Sequence, residues 1–139
     1  MADVAAGQKR AVERPLSPHL QIYRPLINMT MSILHRITGM VLFFGTLLLA
    51  WWLLSAAIGP AYFKFVNGLA TSPIGLLILF GYSWALIHHM IGGLRHLIWD
   101  TGRAFSLGAI NALSWFTILG SIGVTAAVWA CILFSRGLI

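Results

Sequence analysis

Two short runs of the sequence gather side chains that can bind, polarise or ligate. They are Ser32-Ile33-Leu34-His35-Arg36 and His88-His89-Met90-Ile91-Gly92-Gly93-Leu94-Arg95-His96, the second leading into Trp99-Asp100. At about 100° per helical residue, Ser32, His35, Arg36 and Gly39 share one face. That face offers a cation for an anionic group and a hydroxyl for a carbonyl oxygen. An arginine that only reaches for lipid phosphates needs the cation but not the other two. In the second run, His89, Gly92, Gly93, His96 and Asp100 line one stripe, which Tyr82 and Ala85 extend. His88 and Arg95 lie about 100° away. Glycines on the His89 stripe allow something bulky to approach the backbone.

These polar runs lie in unusually apolar surroundings. Of 139 residues, 59% are hydrophobic and 9% charged, and the mean hydropathy is +0.87. A soluble domain needs far more charge to cover its surface. Three long apolar blocks, at about 29–58, 73–99 and 111–134, each exceed the ~20 residues that span a bilayer. Only helices satisfy their own backbone there. The fold class is therefore an all-α membrane protein with three transmembrane helices. A polar, proline-bearing segment, 1–28, precedes a transmembrane domain over 29–135. Gly59-Pro60 ends the first block and opens a loop over 59–72. Ser72-Pro73 starts the second helix, and Asp100-Thr101-Gly102-Arg103 forms a polar turn after it. Tryptophans near block ends, at 51, 52, 99, 115 and 129, partly resemble an interfacial belt.

The net charge of +6 does not indicate nucleic-acid binding, because the nine Lys and Arg sit at the ends of apolar blocks. Seven of them (Lys9, Arg10, Arg14, Arg24, Arg36, Arg95 and Arg103) fall on the side of the N-terminus and second loop, against Lys64 and Arg136 opposite. This asymmetry predicts an inside N-terminus and an outside C-terminus. The N-terminus lacks the apolar core of a signal peptide. The single cysteine, Cys131, reads as a small apolar side chain.

His89 precedes Asp100 by eleven residues, placing it ~16 Å into the second helix at 1.5 Å per residue. An isolated buried histidine is more often a packing residue. Here the depth, the glycine face and the basic cluster of helix one on the same membrane side favour a ligand. Imidazole is the usual axial ligand of a six-coordinate haem. Adjacent helical residues point apart, so His88 and His89 cannot both bind one iron. Helix three carries no histidine, and His35 is too near the surface to oppose His89 easily. One axial ligand comes from this chain, and another chain must supply the second. Helix three, with Gly120, Ser121, Gly123 and Ala126, reads as packing. Asp100 reads as a cap or as a partner for Arg95, Arg103 or another chain. A small proton or ion pathway is disfavoured, since the polar residues occupy only one half of the bilayer.

With Arg14-Pro15-Leu16-Ser17-Pro18-His19-Leu20-Gln21-Ile22-Tyr23, the Ser32–Gly39 run and the H-x-x-x-G-L-R-H-x-x-x-D pattern of His89–Asp100 make the chain recognisable. It resembles the cytochrome b membrane-anchor subunit of succinate dehydrogenase, bacterial and mitochondrial, over most of 14–135. The resemblance implies a place in a heteromeric helical bundle with a second haem-ligating anchor subunit, an iron–sulfur subunit and a flavoprotein subunit. It implies haem b, with His89 as axial ligand to the haem iron and His35 and Arg36 near the propionates. It implies ubiquinone at Ser32 and Arg36, and electron transfer from succinate to ubiquinone in the respiratory chain and tricarboxylic acid cycle. The expected location is the bacterial inner membrane or, alternatively, the mitochondrial one. No catalytic residue is expected on this chain alone, which has no flavin fingerprint and no cysteine cluster. A haem-free structural anchor of a fumarate reductase-type complex is the alternative.

Overall fold

The computed structural model describes residues 15–137, and among them every regular element is helical. A four-residue turn, α1 (His19–Ile22), is followed by α2 (Ile27–Ile58), α3 (Pro60–Ala70), α4 (Pro73–Asp100) and α5 (Leu107–Ser135). Lys9, Arg10 and Arg14, used in the charge argument, lie outside the described residues. Three helices, α2, α4 and α5, are long and apolar enough to cross a membrane. They alternate in direction, so the starts of α2 and α5 share one end of the bundle with the end of α4.

The loop expected over 59–72 is instead largely the helix α3. Gly59 takes φ 147°, ψ 167°, a backbone region essentially closed to side chains. This reverses the chain in one residue. Pro60 then supplies the first helical turn of α3 with its φ already set. Val66 is buried, and Phe63, Asn67 and Ala70 are half-buried on the same face. Two tryptophans hold α3 to α2: Trp51 Nε1 donates to Tyr62 Oη at 3.0 Å and Trp52 Nε1 to Asn67 Oδ1 at 3.3 Å. Eleven residues, ~16 Å of helix, are too few to cross the bilayer.

Serine caps start the next two helices. Ser72 Oγ accepts from Gly75 N at 3.1 Å, and Ser106 Oγ accepts from Ala109 N at 3.3 Å. The Ser106 cap lets α5 begin at Leu107, four residues before the apolar block itself.

The central helix is α4, packed most extensively on α5 and next on α2. The interior is polar rather than apolar. Ser114, Thr117, Ser121 and Thr125 of α5 are all buried, and each hydroxyl donates back to a carbonyl of its own helix at 2.7–2.9 Å. Small side chains let the backbones approach, while Leu, Ile and Phe project outward into lipid. Trp129 Nε1 donates to Ser83 Oγ at 2.9 Å across the same seam. Between α2 and α4, the Tyr82 ring lies directly on Gly45, where any Cβ would overlap it. Gly45→Val is expected to lower the thermal midpoint of the detergent-purified protein, at a cost of about 1–3 kcal/mol from overpacking. Gly81→Ala, where the added carbon meets open space, is expected to leave the midpoint unchanged.

Candidate functional site

The first half of α2 and the second half of α4 meet where the two polar runs lie. His89 reaches across from α4 to the backbone of α2, its Nδ1 3.1 Å from the His35 carbonyl oxygen and 3.3 Å from Thr38 Oγ1. A carbonyl only accepts, so Nδ1 carries the proton and donates it. Nε2, on the far side of the ring, is then left with the lone pair. It makes no hydrogen bond among the described residues. An imidazole held in this way is a Lewis base with a fixed tautomer and a fixed ring plane.

The His35 ring stacks on His89, with centroids 3.9 Å apart and planes 6° from parallel. Its centroid lies 5.2 Å from that of the exposed His96 ring, the two planes tilted by 56°. Parallel stacking rules out His35 as the opposite ligand to His89 in this arrangement, because two stacked rings cannot bracket one iron. Glycines make the stack possible. A Cβ on Gly92 would lie 2.6 Å from His35 Nδ1, and one on Gly39 would lie 3.1 Å from His89 Cε1. The bulky group that Gly92 admits is therefore the His35 ring. Gly93 remains open, with nothing within 4 Å of its Cβ position.

Ser32 is half-buried and Arg36 exposed, one turn apart at the same end as His35. Neither side chain makes a hydrogen bond or ion pair among the described residues. A hydroxyl and a guanidinium uncommitted side by side can receive a polar, electron-rich ligand. Thr38 went unremarked in the sequence, although it follows His35 by three residues on the same side of the helix. It is buried, and its hydroxyl donates to the Leu34 and His35 carbonyls at 2.9 Å.

The opposite face of α4 is turned to α5. His88 is 1% exposed, with Nδ1 3.1 Å from Ser121 Oγ. Arg95 is 3% exposed and donates through Nη1 to Ser114 Oγ at 3.4 Å. The third membrane span, α5, therefore does more than pack, since its hydroxyls partner both His88 and Arg95 of α4. Asp100 is exposed and pairs with neither Arg95 nor Arg103. Among the described residues, no three His, Cys, Asp or Glu converge to hold a bare metal ion. The free Nε2 of His89 suits an ion that arrives already held by other ligands.

Residues 10–128 match the family described as succinate dehydrogenase/fumarate reductase transmembrane subunit. A succinate dehydrogenase cytochrome b556 subunit of Rickettsia bellii is 42% identical over 117 residues, covering 84% of this chain and 91% of that protein. The cytochrome b556 subunit of Paracoccus denitrificans is 43% identical over 135 residues, covering 96% and 98%. The mitochondrial cytochrome b560 subunit of Sus scrofa is 37% identical over 122 residues, covering 81% and 70%. An all-helical chain with three membrane-length spans, matched over most of its length, belongs to the succinate dehydrogenase/fumarate reductase transmembrane subunit family.

Proposed function

We propose that this chain is the membrane-anchoring, haem b- and ubiquinone-binding subunit of a succinate:quinone oxidoreductase, with His89 as one axial ligand of the haem. The observation that carries this reading is the His89 Nδ1–H bond to the His35 carbonyl, which leaves Nε2 available to a ligand. The names of the relatives, as cytochrome b subunits of succinate dehydrogenase, support it. The residues fit a haem. The donor is the His89 imidazole, and at open Gly93, one turn along α4, nothing lies within 4 Å of the Cβ position to obstruct a flat macrocycle. His35 and Arg36 are the groups available for its propionates. When bound, the haem supplies a one-electron carrier.

A second anchor subunit contributes the other axial ligand, because His35 is stacked out of position and His88 faces α5. Ubiquinone sits against Ser32 and Arg36. Ser32 Oγ donates to a quinone carbonyl, and the Arg36 guanidinium stabilises the negative charge that builds there as electrons arrive. An iron–sulfur subunit and a flavoprotein subunit deliver those electrons from succinate, and this chain alone oxidises nothing. The charge asymmetry supports an N-terminus, and with it a quinone site, on the inner side of the bacterial cytoplasmic membrane. A mitochondrial inner-membrane location has the same sidedness.

Two measurements test this. In reduced-minus-oxidised spectra of the purified complex, His89→Ala is expected to abolish or severely deplete the b-type signal, whereas His88→Ala retains it. A full signal in His89→Ala would refute the ligand assignment, and no signal in the unaltered complex would favour a haem-free anchor. In steady-state assays, Ser32→Ala and Arg36→Ala are each expected to slow ubiquinone reduction by roughly 10²-fold, the scale of losing one preorganised donor. Succinate oxidation by an artificial acceptor stays near normal in both. Equal loss of both activities would instead mean failed assembly.

A further inference from the structure

Arg95 is the only Lys, Arg, Asp or Glu buried among the described residues. Its one hydrogen bond, to Ser114 Oγ, is long at 3.4 Å. Its Nε has no partner, although a guanidinium carries five N–H donors. The guanidinium carbon lies 5.0 Å from the centre of the Trp99 ring. Among the described residues no carboxylate pairs with it, and Asp100, five residues on, is exposed. Because the side chain is enclosed between α4 and α5, it is not reaching for a lipid phosphate. An uncompensated cation in a low-dielectric interior is costly and marks a functional position.

The charge lies close to the candidate haem site. Arg95 follows His89 by six residues, ~9 Å along the helix. Side chains connect the two without a break. Trp99 meets the His96 ring edge-on at 5.2 Å, His96 lies 5.2 Å from His35, and His35 stacks on His89. Charges at such a separation, away from bulk water, escape most salt screening.

We propose that Arg95 is a fixed positive charge that raises the reduction potential of the haem held by His89, an inference that rests on the haem reading above. Taking one electron from a reductant converts iron(III) to iron(II) and removes one positive charge from the haem. A neighbouring cation stabilises the reduced form over the oxidised one. Arg95 neither touches the iron nor changes its own protonation, and it acts only through its field.

The test is a potentiometric titration of the haem in the intact purified complex. Arg95→Gln and Arg95→Leu are expected to shift the midpoint potential downward at unchanged haem content, while Arg95→Lys, which keeps the charge, stays near the unaltered value. Ser114→Asp retains Arg95 but sets a carboxylate beside it, and is expected to shift the potential downward as well. Midpoints in Arg95→Gln and Ser114→Asp that equal the unaltered one, with haem bound, would overturn the proposal. If Arg95→Gln and Arg95→Leu do not assemble, Ser114→Asp decides. Failure of that variant too would assign Arg95 to folding and overturn the electrostatic role. Absence of a b-type signal from the unaltered complex would sink the haem reading itself, a different result from an unshifted midpoint.

Discussion

The hydrogen bond from His89 Nδ1 to the His35 carbonyl joins the packing of this bundle to its chemistry. It crosses from α4 to α2 at the depth where the two polar runs meet, and it selects which imidazole nitrogen is free. Interhelical hydrogen bonds within membranes average only ~0.6 kcal/mol, so its contribution to stability is small. Its consequence is orientational, since a ring with Nδ1–H anchored to backbone presents Nε2 in one direction only. Gly39 and Gly92 give the two imidazoles room between the helices. Thr38 donates to the same carbonyl and lies 3.3 Å from His89 Nδ1.

A second constraint shapes the rest. Lipid removes the hydrophobic driving force between helices, so the contacts that specify the fold are small and polar. The hydroxyls of α5 at 114, 117, 121 and 125 occupy the α4 interface. They turn His88 and Arg95 inward and leave the His89 stripe for α2 and whatever lies beyond it. Two adjacent histidines thus take opposite sides: His88 is bonded to Ser121 with its Nε2 enclosed and unpartnered, and His89 is bonded to the backbone of α2. The division follows from helical register together with the side on which α5 packs.

The three spans were legible because each is a long apolar block, and length alone decides what can cross a bilayer. The His89 face and the Ser32–Arg36 face were legible because a helix converts spacing into direction. By contrast, α3 was hidden. Gly59-Pro60 reads as a chain break, and eleven residues with one lysine read as a loop. In the sequence, the tryptophans that clamp α3 read as interfacial residues. The stack of His35 on His89 could not be read from either helix alone, since it depends on which residues face each other across α2 and α4. Of the α5 hydroxyls only Ser121 stands out in the sequence, as one of several small residues, and the parts that it and Ser114 play depend on His88 and Arg95 lying opposite them.

The most direct measurement is a cryo-electron microscopy map of the intact complex at a resolution that separates ring nitrogens by their contacts. The account predicts iron bonded to His89 Nε2, with Nδ1 still on the His35 carbonyl, and a second histidine from another chain across the macrocycle. Iron on His88, both axial ligands from this chain, or a bundle without haem at His89 would contradict it.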